Sequence, residues 1–381
     1  VQAVAAARLF TGEALLTDHA VLIEAGRIVD VVPANGGAAR RLPDDLILAP
    51  GFIDAQVNGG GGVLFNDTPD QPTLRRIAQA HRRFGTTALL PTLITDGAEK
   101  MRQAVDAVAA AMAAHEPGII GLHLEGPFIN PLRRGVHRSE FVRAPTQDDL
   151  TWLCATAPRP LLLTLAPEMV PSDTIRQLAG AGITIAIGHS EASYEQARDA
   201  LDAGARGFTH LFNAMPPLIG RAPGPVGAAL DDVRGHAGLI VDGHHVHPAN
   251  LRMALRALGP GRAMLVTDAM ASIGSAIGSF MLQGARIAVS GGRLITADGT
   301  LAGAHLDMAS AVRNAVAMLG LPLGDALRMA SATPADFLGI GAERGRLLPG
   351  RAADMVAITE TVDVRGVWLG GAALAGPDIA C

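Results

Sequence analysis

At 381 residues the chain has room for a (β/α)8 barrel, roughly 250 residues as one unit, together with a smaller companion domain. It is 49% hydrophobic but only 3% aromatic, which implies a core of close-packed Ala, Leu, Val and Ile, and a net charge of −5 with interspersed signs argues against a nucleic-acid or anionic-membrane partner. Two cysteines, Cys154 and Cys381, exclude a disulfide framework or a Cys-type zinc site, and a single lysine, Lys100, leaves Schiff-base, pyridoxal-phosphate and P-loop chemistry almost without a candidate.

Residues 1–50 carry short alternating segments, Ala7–Phe10, Ala14–Leu16, Ala20–Glu24, Arg27–Val32 and Leu46–Leu48, punctuated by Gly26 and the Asn35–Gly37 cluster. This is strand-and-turn text without helical period. The opening lacks a basic n-region followed by an apolar h-region, and no apolar run approaches the roughly 18 residues of a membrane span, so a cytoplasmic protein is expected. From Gly51 apolar runs of strand length alternate with helical segments, the pattern of parallel βαβ units. The runs are Phe52–Asn58, Thr87–Ile94, Ile119–Glu125, Leu161–Glu168, Ile183–His189, Gly207–Asn213, Ala237–Asp242 and Ala263–Asp268. Helices are predicted over Gln71–Phe84, Ala98–His115, Thr146–Ala157, Ser172–Ala181, Ser193–Ala203, Pro248–Leu258 and His305–Leu319, the last of them; Met215–Asp231 reads as a long loop with an uncertain helix. Eight such strands predict a TIM-like barrel spanning 51–344. An open doubly wound sheet is the alternative, weakened because no Gly-x-Gly-x-x-Gly turn follows the first strand. A hairpin-style β-insertion occupies about 279–300, with turns at Gly291-Gly292 and Asp298-Gly299. The tails, 1–50 and 345–381, are expected to fold together into one small β-sandwich.

The polar residues at the ends of the runs carry the chemistry, because a barrel's active site lies at the carboxyl ends of its strands. Glu125, His189 and His210 each close their own run. Singly, each has a bland reading as a cap or a hydrogen-bonded pocket histidine. Together they form a mixed N/O set that suits one catalytic divalent ion, Zn first, with Fe, Mn or Co possible. Zinc lowers the pKa of a water to about 7, making a nucleophile available at neutral pH. Asp268, ending the eighth run, is either a turn cap or a general base. His123 shares a face with Glu125 and reads as a supporting residue rather than a ligand. Gly135-Val136-His137 reads as an exposed basic loop, either merely solvated or a substrate grip; with Asn213–Arg221 and Asp242–His247 it would offer an anion grip of histidines, arginine and backbone amides.

Pro50-Gly-Phe-Ile-Asp54, His123-Leu-Glu-Gly-Pro127, Gly188-His-Ser190, Thr209-His-Leu-Phe-Asn-Ala-Met215, Asp242-Gly-His-His245, Val266-Thr-Asp268 and Gly303 within Thr300–Ala304 resemble the N-acetylglucosamine-6-phosphate deacetylase family of the amidohydrolase superfamily. The resemblance runs from about residue 45 onward. It implies a TIM-like barrel with a β-sandwich, a homodimer, and hydrolysis of the acetamide of N-acetyl-D-glucosamine 6-phosphate to glucosamine 6-phosphate and acetate. By position it implies Glu125, His189 and His210 as metal ligands, Asp268 as acid/base and His137 as the group that polarises the carbonyl. Val136, His137, Asn213, Ala214, Arg221 and His245 would meet the substrate, Arg221 from its own or the neighbouring subunit, and Leu301, Ala302, Gly303 and Ala304 would line the sugar pocket. Where many superfamily members carry His-x-His, this chain reads Gln56-Val-Asn58, and its fourth strand lacks the bridging lysine, so one metal per subunit is expected. The alternatives are an N-acetylgalactosamine-6-phosphate deacetylase, another C–N hydrolase such as a cyclic-amide hydrolase, and a catalytically inactive sugar-phosphate-binding protein.

Overall fold

The computed structural model of the chain describes residues 1–34 and 40–374; the Asn35–Gly37 cluster and Cys381 lie outside them. Each of the eight apolar runs holds one parallel strand: Phe52–Val57, Thr86–Ile94, Leu122–Glu125, Leu161–Leu165, Thr184–Ile187, Gly207–Phe208, His236–Leu239 and Ala263–Leu265. They pair in sequence order from first to eighth. The ring closes where Val57 bridges Ala269, with Asp268 N–H donating to Gln56 O at 3.1 Å and Asn58 N–H to Ala269 O at 2.8 Å. The open doubly wound alternative is thereby set aside. Residues Thr86–Ile94 are buried without exception, as expected of a strand covered on both faces.

The helices form because their apolar residues recur at helical spacing. Gln71–Arg82 buries Leu74, Ile77, Ala78 and His81, and Asp70 caps it by accepting from Thr73 N–H at 2.8 Å. The stretch read mainly as a loop contains a helix, Gly224–Asp231, and two short helices, Leu323–Met329 and Ala332–Phe337, follow the one expected to be last. Proline hid them. Pro322 is an N-cap residue and Pro334 falls in the first turn, where a missing N–H breaks no intrahelical bond.

The two tails make one sheet. Its hydrogen-bonded order is Ala372–Ala373, Val364–Leu369, Met355–Ile358, Ile47–Pro50, Gln2–Phe10, Leu15–Glu24 and Arg27–Pro33, with Arg40–Arg41 pairing on Gln2–Phe10. Arg27 bridges Ala352, so the sheet folds back on itself around Leu9, Val21, Ile28, Leu48, Met355 and Trp368. Strand alternation gives it two faces. Leu48, Met355 and Ala357 point into this sandwich core, whereas Ile47, Ala49, Val356 and Ile358 join the barrel's core. Gly51 makes the step from sheet to barrel, and a Cβ there would lie 2.2 Å from Thr87 Oγ1. The segments Ala14–Leu16 and Ala20–Glu24 prove to be one strand, with Asp18 at φ 56° between them.

The insertion is a four-stranded antiparallel sheet of Ser279–Leu282, Ala285–Ser290, Arg293–Ile295 and Leu301–Ala304. Its last strand runs beside the barrel mouth, Ala304 N–H donating to Asp268 O at 2.8 Å. No described helix is long and apolar enough to cross a membrane.

Candidate metal centre and active site

Glu125 is the last paired residue of the third barrel strand, in register with Ile94 and Thr164 on its neighbours. The histidines and Asp268 differ from expectation. The regular strands end at Ile187, Phe208 and Leu265, and His189, His210 and Asp268 follow in left-handed backbone, at φ 49°, 27° and 51°. A left-handed residue turns the chain sharply, and here each turn aims a side chain across the barrel mouth. Gly188 precedes one turn because a Cβ there would lie 2.8 Å from Thr164 Cγ2.

These turns converge. Glu125 Oε1 lies 3.1 Å from His189 Nε2 and 2.9 Å from His210 Nε2, and the two imidazole nitrogens are 3.1 Å apart. The Arg133 carbonyl, 2.8 Å from His189 Nδ1, can only accept, so Nδ1 carries a proton and Nε2 is the nitrogen that faces Glu125. His210 Nδ1 is buried without a partner among the described residues. Burial pushes the Glu125 carboxyl up, but hydrogen bonds from both imidazoles outweigh it and hold it well below its ordinary range. For His210 burial acts downward, and the Glu125 bond and charge outweigh it, so its pKa is raised. The pocket thus draws positive charge to one point. Three ligand atoms lie within 4.8 Å of one another, two imidazoles and a carboxylate, and this donor set fits a divalent ion.

Gln56 and Asn58 take part by donating. Gln56 Nε2 gives to Glu125 Oε1 at 3.0 Å and Asp268 Oδ1 at 3.2 Å, and Asn58 Nδ2 gives to the same Asp268 oxygen at 2.7 Å. Burial, then the charge of Glu125, pushes the Asp268 carboxyl up to about 6. Beneath it, Asp54 accepts from the Thr267 hydroxyl at 2.5 Å and from the N–H groups of Gln56 and Thr267 at 3.3 Å, stapling the first strand to the eighth.

His123 is no ligand. Its ring nitrogens meet Thr92 Oγ1 at 3.0 Å and Thr164 Oγ1 at 2.8 Å, and burial lowers its pKa to about 4. Glu168, at the end of the fourth run, braces the loops instead, accepting from Asn130 Nδ2, Ser190 Oγ and Glu191 N–H. His137, expected on an exposed loop, is instead buried against the cavity, its Nδ1 2.8 Å from Thr95 Oγ1, and burial, reinforced by His189, holds its pKa well below the ordinary histidine value.

A cavity of about 380 Å³ covers the centre, within the span of small-molecule sites. Glu125, His189, His210, Asp268 and His137 line it, as do Val136, Asn213, Ala214, His245, Leu301 and Gly303. Ala302 and Ala304 are buried behind that wall, and Arg221 is exposed away from it. Of the three clustered histidines only His245 faces the cavity, its Nδ1 2.6 Å from Asp242 Oδ2; His247 caps the helix Pro248–Leu258 and His244 is exposed. Sequence reasoning missed the apolar wall of Ile94, Ile240 and Met270, whose members look like ordinary core. It also missed the donor roles of Gln56 and Asn58, legible only as the absence of histidine.

The amidohydrolase family profile matches residues 47–374, and that of the NagA composite domain matches 3–44. The chain is 45% identical over 324 residues to an N-acetylgalactosamine-6-phosphate deacetylase of Shewanella sp. (strain ANA-3), covering 85% of this chain and 82% of that one. It is 35% identical to an N-acetylglucosamine-6-phosphate deacetylase of Haemophilus influenzae, covering 95% and 96%. The crystal structure of N-acetylglucosamine-6-phosphate deacetylase from Pasteurella multocida superposes with a TM-score of 0.94 at 35% identity, over 98% of this chain and all of that one.

Proposed function

The chain belongs to the amidohydrolase family, and on that premise we propose that it hydrolyses the acetamide of N-acetyl-D-glucosamine 6-phosphate to glucosamine 6-phosphate and acetate. The observation that carries the reading is the convergence of Glu125, His189 and His210, with Gln56 linking Glu125 to Asp268. These three residues would hold one divalent ion per chain, zinc first, with iron, manganese or cobalt able to use the same donors. Such an ion, when bound, supplies a Lewis acid that acidifies water and polarises the carbonyl.

The chain's own groups do the rest. Asp268 takes a proton from the attacking water as the carbon–oxygen bond forms. His137 donates to the acetyl oxygen and stabilises the charge that develops there. Asp268 then delivers its proton to the nitrogen as the carbon–nitrogen bond breaks, releasing the amine and acetate. Val136, Asn213, Ala214 and His245 grip the sugar phosphate, and Leu301–Ala304 wall the sugar. The catalytic unit is residues 51–344, supported by the sheet from both tails. Exposed Leu218 and Ile219 beside exposed Arg221 favour a homodimer, with Arg221 reaching the partner's cavity. The enzyme works in the cytoplasm.

Acetate release from the two epimeric phosphosugars, beside ring opening of a hydantoin, tests the reading. Release from N-acetylglucosamine 6-phosphate is expected, and Asp268→Asn should keep its metal while turnover falls about 10²–10⁴-fold. Full activity in that variant would remove Asp268 from the role. The 45% identical relative favours a second reading, the galacto epimer, which the same assay ranks.

A further inference from the structure

The backbone N–H of Thr95 is directed at His137 Nδ1 from 3.4 Å. An amide N–H can only donate, so Nδ1 accepts and the imidazole proton sits on Nε2. The Thr95 hydroxyl, 2.8 Å from the same nitrogen, must then donate as well; its other neighbour, the Glu125 carbonyl, is farther at 3.3 Å. The turn after Glu125 leaves room for this hydroxyl, because a Cβ on Gly126 would stand 2.2 Å from Thr95 Oγ1.

Thr95 is held from its other side by the insertion. Gln283, in the turn joining Ser279–Leu282 to Ala285–Ser290, donates Nε2 to the Thr95 carbonyl at 2.8 Å. Its backbone is left-handed at φ 47°, and its Oε1 is buried without a partner among the described residues. Both features are unfavourable, and together they point to a side chain retained for the one bond it makes. The same sheet packs Leu282 and Ile287 with Ile94, Met270 and Val136, all part of the cavity wall or touching it.

We infer that Thr95 and Gln283 are positioning residues for His137: Thr95 fixes the Nε2–H tautomer, and Gln283 fixes Thr95. A neutral imidazole donates from one nitrogen only. With the proton on Nδ1 the ring would present a lone pair to the acetyl oxygen and repel it. The catalytic part of this inference rests on the deacetylase reading, whereas the tautomer does not.

The test uses whole, zinc-loaded enzyme with ¹⁵N-labelled histidine, in which long-range imidazole correlations report the tautomer of each ring. The His137 signals are assigned by their loss in His137→Gln. In the wild type, Nε2 should carry the proton and Nδ1 should show none. Thr95→Ser should keep that pattern and near-normal turnover. Thr95→Val should shift Nδ1 toward protonation and lower kcat about 10- to 100-fold, with KM within about twofold and metal content unchanged. Gln283→Leu should lower kcat in the same direction, by up to about tenfold. A protonated Nδ1 in the wild type overturns the inference, and so does a Thr95→Val enzyme with undiminished kcat. Should the wild type show the Nε2–H tautomer yet release no acetate, the functional reading fails while the tautomer assignment is upheld.

Discussion

His189, His210 and Asp268 occupy backbone conformations that ordinary residues avoid, at a cost of order 1–3 kcal/mol each. Their identities were readable in sequence because apolar runs stopped at them. Their conformations were not, since hydrophobic period says nothing about the residue that breaks it. Asp54 is a similar case, read only as part of a motif. Burial pushes its carboxyl up to about 7, against hydrogen bonds from Thr267 and Gln56. In the unfolded chain the group titrates near 3.9. Between those values the folded protein holds a proton that the unfolded chain has lost. Its stabilising effect is therefore complete below about pH 4 and disappears as the pH rises through about 7. Asp54→Asn, neutral throughout, should lose less stability than the wild type between about pH 5 and about pH 8 in urea unfolding. Equal losses would mean that Asp54 is ionised in the fold at both values.

The element that presents His137 is the loop from Gly126 to Thr146, and its end is clamped by the helix Gln147–Thr156. Arg143 N–H donates to Pro127 O, and the Arg143 guanidinium grips both oxygens of Asp149 at 2.5 and 2.8 Å. Thr146 and Asp149 form a reciprocal capping box. Thr146→Ala should cost about 1 kcal/mol in a denaturant titration and leave metal content alone. Burial pushes the Asp149 carboxyl up, but Arg143 and Thr146 outweigh it and hold it at about 2. That contribution is complete above about pH 4 and is lost as the pH falls toward 2, so the stability deficit of Asp149→Asn should shrink across that window. A deficit constant with pH would contradict the ion pair. The helix was legible as the segment Thr146–Ala157, with Leu150 and Leu153 three positions apart on its buried face. Gly224–Asp231 was obscured by Pro223 and Pro225 and by glycines that carry no amphipathic signal.

At the scale of the molecule, alternation along two strands joins the barrel to the terminal sandwich. Ile47 and Ala49 face one core, while Leu46 and Leu48 face the other. Eight apolar runs, their order and their polar ends were enough to anticipate the barrel. The closure contacts between Gln56 and Asp268 and the pairing of Leu301–Ala304 beside Ala269 join residues more than 30 positions apart, which no local pattern encodes. Everything proposed for function depends on a single ion seated between the third, fifth and sixth staves. Metal analysis of the purified chain, saturated with zinc and dialysed, measures this directly. One equivalent per chain is predicted for the wild type, and none for the double variant His189→Ala with His210→Ala. Two equivalents, or an undiminished content in the double variant, would contradict the account.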